Sequence, residues 1–480
     1  MRIPGTMCVL ALAAATVLGP AGTTPRAQTA VTFSEHVAPI VFANCAGCHR
    51  PGEAAPFPLL SYRDARPVAK AMAAAAASRA MPPWKPGATD YAFHDARGLT
   101  DAQIEILQRW ADGGAPEGDP AKLPRLPSFT DGWQLGPPDL VVTMAEAYDV
   151  PARGPDVYRN FVLPLNLDRD VWVRAIDFRP SARAVVHHSL FFLDATGSAR
   201  EQDAADAAPG FPGGMGGVRL AGGRGRGLAG LGRGRGGAAD DLTSRITGTL
   251  GGWALGGRAL ELPEGLAFPV ARGSDLILST HFHPSGSAQA EKSTVGFYFA
   301  KQAPTQAFTA IQLPPLFAVF EGLDIAPGQE RYTIKDSFTL PIDVRAFSVG
   351  AHAHYLGKEM KLTAAFPDGT SRTLLWIKDW DFSWQERYRF AEFVALPKGT
   401  RLDVEISYDN SASNRRNPSR PPVRVTWGEE STDEMGAVGL QVVAARPEEL
   451  PELQRAYAAF VRSAAFSRPG LQQLLQRRLR

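Results

Sequence analysis

A chain of 480 residues exceeds what one hydrophobic core organises, so two to four domains are expected. A hydrophobic content of 44% with 21% charged residues excludes the compositional extremes and describes an ordinary globular protein. A formal net charge of +2 gives no argument for a nucleic-acid or membrane partner, while 47 glycines and 39 prolines favour many turns and a β-rich bulk.

Residues 1–30 read as an export signal: Arg2, the apolar run "MCVLALAAATVLG", then small residues. The run is short for a membrane span, which needs roughly 20 residues. The protein is therefore expected to be exported, periplasmic or secreted, with no stable membrane span. Removing the signal removes Cys8. Of the three cysteines only Cys45 and Cys48 then remain, with none left for a structural disulfide.

Residues 31–119 read as a small all-α unit. "TFSE", Thr32 to Glu35, has the pattern of a capping box, and Val37, Ile40 and Val41 recur at helical spacing before Cys45. "SYRDARPVAKAMAAAAASRA", Ser61 to Ala80, is an alanine-rich helix with Ser61 as its N-cap. "TDAQIEILQRWADGG" offers a second capping box at Thr100 and Gln103, an apolar stripe of Ile104, Leu107 and Ala111, and a stop at Gly113.

Inside this unit lies "NCAGCHRPG". C-x-x-C-H is the attachment pattern of a c-type haem. Here it ends a predicted helix, follows an export signal and uses every cysteine of the mature chain. Cys45 and Cys48 are expected to carry one covalent haem c, with His49 as the proximal iron ligand. Met81 in "RAMPPWKP" is the leading sixth ligand, because a Met/His pair raises the haem potential and suits electron transfer. His94 and His36 are weaker rivals. With "CHRPG", "MPPW" and "WADGGAPEGD", the segment resembles small cytochrome c domains fused to larger bacterial enzymes.

Residues 120–138 form a proline-rich linker, and beyond it the hydrophobic period changes from 3.6 to 2. "VWVRAIDF" (Val171 to Phe178), "STVGFYFA" (Ser293 to Ala300) and "RLDVEISY" (Arg401 to Tyr408) read as strands. The remaining length suits two all-β sandwiches, residues 139–308 and 309–446. Within the first, residues 199–241 are a Gly/Arg-rich insert expected to be a flexible surface loop rather than an RNA-binding segment. Residues 447–480 read as a helical tail with a basic end.

Six of the nine histidines fall in three clusters: "VVHHSLFF" (His187, His188), "LSTHFHPSG" (His281, His283) and "VGAHAHYLG" (His352, His354). Each adjoins an apolar, strand-like run, where polar rings are costly to bury without partners. Residues i and i+2 on a strand share a face with Cα atoms about 6.7 Å apart, so two imidazoles can meet on one ion. His187 and His188, as neighbours, can do so only at a strand end or a bulge. Imidazole alone does not name the metal; a thioether would favour Cu(I). Late in the chain, "WGEESTDEMGAVGLQVV" places Met435 between an acidic run and a strand, where by itself it reads as a core residue rather than a ligand.

Taken in order, the three clusters and Met435 resemble the copper type II, ascorbate-dependent monooxygenases, the family of dopamine β-hydroxylase and the hydroxylating half of the peptide-amidating enzyme. The resemblance covers Leu140 to Ala445. It implies two jelly-roll sandwiches in series, each supplying one copper. By that resemblance His187, His188 and His281 hold the first copper, with His283 as the alternative to His281. His352, His354 and Met435 hold the second, catalytic copper. Gly350 stands where the peptide-amidating enzyme has an arginine, which argues against a peptide C-terminus as substrate.

The expected activity is hydroxylation of a C–H bond of a small-molecule substrate by O2, with electrons passing from a donor (an ascorbate-like reductant or a redox protein) through the haem to the first copper and then the second. The alternative is a copper and haem electron-transfer or metal-binding protein without hydroxylase activity. A zinc hydrolase is disfavoured, because a methionine makes no sense as a zinc ligand.

Overall fold

The computed structural model describes residues 1, 30–51, 53, 55–129, 132–213, 249–254, 257–428, 430–470 and 472. The expected export signal and the Arg-Gly core of the insert lie outside the described residues. No helix among the described residues is long and apolar enough to cross a membrane.

The N-terminal unit is helical: α1 (Ala38–Asn44), α2 (Tyr62–Ala65), α3 (Ala69–Ala77) and α4 (Asp101–Asp112). Phe33, Val37, Val41, Leu107 and Trp110 form its core, and the Trp110 indole donates to the Pro116 carbonyl at 2.9 Å. The capping box at Thr100 and Gln103 forms as expected, and α4 ends at Gly113. The one at Thr32 does not. Phe33–Val37 is wound as a π-turn whose N-cap side chain caps nothing. Instead His36 Nδ1 faces the Thr32 amide at 3.2 Å, while Glu35 pairs with Lys122 at 2.8 Å. The single helix expected over Ser61 to Ala80 is broken into α2, a 3-10 turn at Arg66–Val68, and α3. Pro67 has no N–H to continue the ladder, and its ring crowds the preceding turn.

After α3 the chain leaves this unit. Trp84, Tyr91 and Phe93 pack into the core of the second β unit, and Phe93 pairs with Phe390 as an antiparallel bridge. The chain then returns to form α4. The segment 31–119 is thus not self-contained.

The first β unit contains β1 (Leu140–Thr143), β2 (Tyr148–Val150), β3 (Val157–Pro164), β4 (Val171–Arg179), β5 (Val186–Asp194), β6 (Phe211–Pro212), β7 (Thr249–Ala254), β8 (Leu260–Glu261), β9 (Phe268–Val270), β10 (Asp275–Phe282), β11 (Gln289–Glu291) and β12 (Thr294–Phe299). One sheet runs β1-β12-β4-β8 with β9 also on β4; the other runs β6-β3-β10-β5-β7. Phe161, Phe178, Phe191, Phe282 and Phe297 fill the core these sheets share. β10 is buried along its whole length, as befits the centre of its sheet. The opening of the insert is more ordered than a loop: α5 (Ser198–Ala204) and β6 sit against the sheet, because Arg159 donates to Asp206 and to the carbonyls of Ala208, Pro209 and Gly210.

The second unit contains β13 (Phe308–Leu313), β14 (Asp324–Ile325), β15 (Tyr332–Thr339), β16 (Val344–Ala353), β17 (Gly357–Ala365), β18 (Ser371–Ile377), β19 (Arg387–Leu396), β20 (Arg401–Tyr408), β21 (Val425–Thr426) and β22 (Gly436–Ala444). Two four-stranded antiparallel sheets, β13-β22-β16-β19 and β15-β20-β17-β18, share one core. In β20 the expected alternation holds for Leu402, Val404 and Ile406, which are buried, but Ser407 is buried as well. The tail forms one long helix, α6 (Leu450–Ser467), whose Leu450 and Leu453 join this core and whose Tyr457 hydroxyl donates to the Gln312 carbonyl at 2.8 Å.

Replacing Phe93 by Ala removes an aromatic ring that stacks on Phe390 with centroids 5.3 Å apart. A loss of about 3 kcal/mol is expected by chemical denaturation, with faster proteolytic cleavage between residues 82 and 98.

Candidate functional site

β5 and β10 are antiparallel neighbours, and their register slips at the end of the pairing: His281 faces His188, while Phe282 faces Val186. His187 is therefore the extra residue of a β-bulge. A bulge re-aims a side chain, which is what allows two consecutive histidines to serve one point. His187 Nδ1 lies 3.2 Å from His281 Nδ1, and one ring nitrogen from each of His187, His188 and His281 falls within 4.8 Å of the others. His188 Nδ1 is buried with no hydrogen-bond partner.

The remaining nitrogen of His281 is committed. Its Nε2 donates to Asp156 Oδ2 at 2.7 Å, which leaves Nδ1 facing the other two rings. Tyr158 stacks flat on it, centroids 4.3 Å apart. His283 sits outside the cluster with a side chain 65% exposed, and its Nδ1 meets the other oxygen of Asp156 at 2.8 Å. Burial works against the charge of Asp156, but the two imidazoles hold its carboxyl well below the usual range. The Tyr355 hydroxyl also donates to Asp156, at 3.1 Å, joining the first unit to the residue that follows His354.

In the second unit His352 faces Ala437 and Ala353 faces Gly436 across β16 and β22. The pairing ends at that step, and His354 and Met435 are the next residues beyond each strand. The His352 and His354 rings meet edge-on with centroids 5.2 Å apart. Met435 is buried. His352 Nδ1 donates to Gln385 Oε1 at 2.5 Å, and its Nε2 is buried without a partner. His354 Nδ1 donates to the Asp433 carbonyl at 3.2 Å. Glu434 accepts the backbone N–H groups of His354, Leu356 and Met435 at 3.0, 2.6 and 3.2 Å, which locks the ends of β16 and β22 together. Burial pushes its carboxyl up to about 8 against the pull of those donors. Gly436 is required here: a Cβ would lie 2.2 Å from the Tyr408 hydroxyl, which donates to the Met435 carbonyl.

Burial holds all five clustered rings in the neutral form that ligates metals: His187 and His352 fall to about 4, His354 to about 3, and His188 and His281 fall as well. Phe382 lies between the two groups. Its ring centroid is 5.7 Å from His281, 6.0 Å from His187, 6.1 Å from His188 and 5.5 Å from His354. Three of the nine histidines lie away from these groups: His36 bonds within its own turn, His94 pairs with Asp95 at 2.8 Å, and His49 belongs to the C-x-x-C-H stretch.

The C-x-x-C-H stretch follows α1. Cys45 and Cys48 are free thiols. His49 Nδ1 donates to the Phe57 carbonyl at 3.0 Å, which fixes the orientation of the ring. Met81, just past α3, is 41% exposed. Arg50 and Arg183 both pair with Glu53, tying the C-x-x-C-H stretch to the turn that precedes His187.

The sequence motifs captured the rings but not their supports. Tyr355 and Glu434 sit inside quoted motifs, beside His354 and Met435, and were passed over. Asp156, Phe382 and Gln385 lie in turns with no period or motif, and only the fold brings them to the histidines.

No protein-family model matches the chain, and no curated protein matches it. Among solved structures, the VP2 subviral particle of infectious bursal disease virus aligns at 10% identity over 66% of this chain and 74% of that one, with a TM-score of 0.17. The major capsid protein P2 of bacteriophage PM2 aligns at 11% identity over 61% and 99%, with a TM-score of 0.21. Likeness at that level carries no argument about this chain.

Glu434→Gln turns an amide donor toward backbone donors. A loss of about 1–3 kcal/mol of stability is expected by denaturant titration, whereas an unchanged midpoint would show that the β16–β22 junction does not depend on this carboxylate.

Proposed function

We propose that the chain is a copper-dependent monooxygenase in which a haem c on the helical unit supplies electrons to two copper centres on a pair of jelly-roll domains. The two four-stranded antiparallel sheets around one core in the second unit are compatible with that architecture. The observation that carries the reading is the pair of buried, unpartnered ring nitrogens, His188 Nδ1 and His352 Nε2, each inside a group of neutral imidazoles. A buried polar atom without a partner costs about 1–3 kcal/mol, and a metal ligand bond removes that cost.

The donor sets differ. His187, His188 and His281 offer nitrogen only. His352 and His354 add the soft sulfur of Met435, which favours Cu(I) and is foreign to zinc. Copper bound at both would store two electrons and supply one-electron chemistry for activating O2, and haem c would supply those electrons.

The protein's own groups do the positioning. Asp156 holds the Nε2 proton of His281, so that Nδ1 stays available. Gln385 and the Asp433 carbonyl hold the Nδ1 protons of His352 and His354 in the same way. The Phe382 ring packs against histidines of both groups. His49, held by the Phe57 carbonyl, and Met81 are the residues that would hold the haem iron. The substrate is a small molecule of a class that no residue here names, and the electron donor is an ascorbate-like reductant or a redox protein. Export to the periplasm or beyond fits covalent haem attachment.

Metal analysis of the haem-loaded protein is expected to give two coppers per iron. His188→Ala is expected to lose one copper and His352→Ala the other, with the haem spectrum intact. Dithionite-reduced haem is expected to be reoxidised by O2 only when both coppers are present. Zinc in place of copper, or no second metal, would overturn the reading.

A further inference from the structure

One turn touches all five clustered histidines. Trp380–Glu386 joins β18 to β19. Its Phe382 ring lies against histidines of both groups, and its Gln385 accepts the Nδ1 proton of His352 at 2.5 Å. Its other side faces the haem-binding segment. Arg97 grips Glu386 with both guanidinium nitrogens, at 3.0 and 2.6 Å, and Lys85 reaches Asp381 at 3.5 Å. Paired, coplanar donors of this kind fix orientation as well as distance. Both partners are mostly buried, with side-chain exposures of 19% and 26%, so solvent screens the pair little.

The rest of the segment reinforces the grip. Trp84 packs edge-on against Tyr388 at 5.2 Å, and Arg97 lies over the Trp84 ring at 5.6 Å. The His94 amide donates to the Arg389 carbonyl at 2.8 Å, and the Ala391 amide to the Ala92 carbonyl at 2.9 Å. The stretch between Met81 and α4 thus runs along the edge of β19 at the point where the turn begins. The same Arg97 carries the positive charge that acts on the Cys48 thiol, so one side chain stands between the haem handle and the turn.

Gln385 is adjacent to Glu386. An amide oxygen that must meet His352 Nδ1 squarely depends on where the backbone of residue 386 is held. We propose that Gln385 is a positioning residue for His352, and that the haem-binding segment sets it through the Arg97–Glu386 pair. The helical unit is then a structural part of the second metal centre as well as its source of electrons. This rests on the metal-binding reading above.

The test is copper titration of the full, haem-loaded chain, followed by the Cu(II) electron paramagnetic resonance spectrum of each centre. Gln385→Ala is expected to weaken binding at the His352 centre by about 10–100-fold and to shift its spectrum, while the His187–His188–His281 centre keeps its affinity and spectrum. Gln385→Glu, which keeps an acceptor for the imidazole N–H, is expected to restore binding. Glu386→Gln and Arg97→Ala are expected to shift the same spectrum in the same direction by a smaller amount, and the exchanged pair Arg97→Glu with Glu386→Arg to recover it. Wild-type affinity and spectrum in Gln385→Ala, or in both single variants of the ion pair, would overturn the inference while leaving the two-copper reading standing. A wild-type protein that takes up no copper at His352 would overturn both.

Discussion

Everything at the centre of this molecule depends on keeping neutral imidazoles buried, two of them, His188 and His352, with a ring nitrogen unsatisfied. Such atoms are expensive, and native proteins pair them with other groups or with water. Here the surrounding protein supplies a partner for one nitrogen of His281, His352 and His354 and leaves the other aimed at its neighbours. The consistent choice matters more than any single contact. The unpartnered nitrogen is Nδ1 of His188 in the first group and Nε2 of His352 in the second.

The β framework makes this possible through two local devices. The bulge at His187 spends one residue to bring adjacent side chains to a common point, and the central, fully buried β10 delivers His281 opposite it. In the second unit, the β16–β22 register runs unbroken from Ser348 to Ala353, and Glu434 holds the strand ends beyond it by accepting the amides of His354, Leu356 and Met435. A slip of one residue would send every ligand to the wrong side of the sheet. The two groups are then kept apart by Phe382 and joined through Asp156 and Tyr355.

Much of this was legible beforehand. Short-range signals with a fixed geometry survived intact: the Thr100–Gln103 cap, the Gly113 stop, and the strand from Arg401 to Tyr408. The paired histidines were legible because burying polar rings in apolar runs needs a reason, and a bulge was the stated condition for His187 and His188. Where the sequence misled, a competing local interaction won. His36 took the Thr32 amide from the expected cap, and Pro67 broke the alanine-rich helix. The supports Asp156, Phe382, Gln385 and Arg97 were illegible, since each lies in an aperiodic turn and acquires its role from a partner at least thirty residues distant. The departure of Trp84 to Phe93 from the helical unit was hidden for the same reason: an aromatic, proline-rich stretch reads equally well as a local loop.

The central claim is that two nitrogen donors and one sulfur donor surround a single copper in the second unit. X-ray absorption at the copper edge, on the reduced, copper-loaded chain, tests it most directly. The account predicts imidazole scattering together with one sulfur shell that disappears in Met435→Ala and persists in His188→Ala. A wild-type spectrum with no sulfur shell, or a shell that survives the loss of Met435, would contradict it.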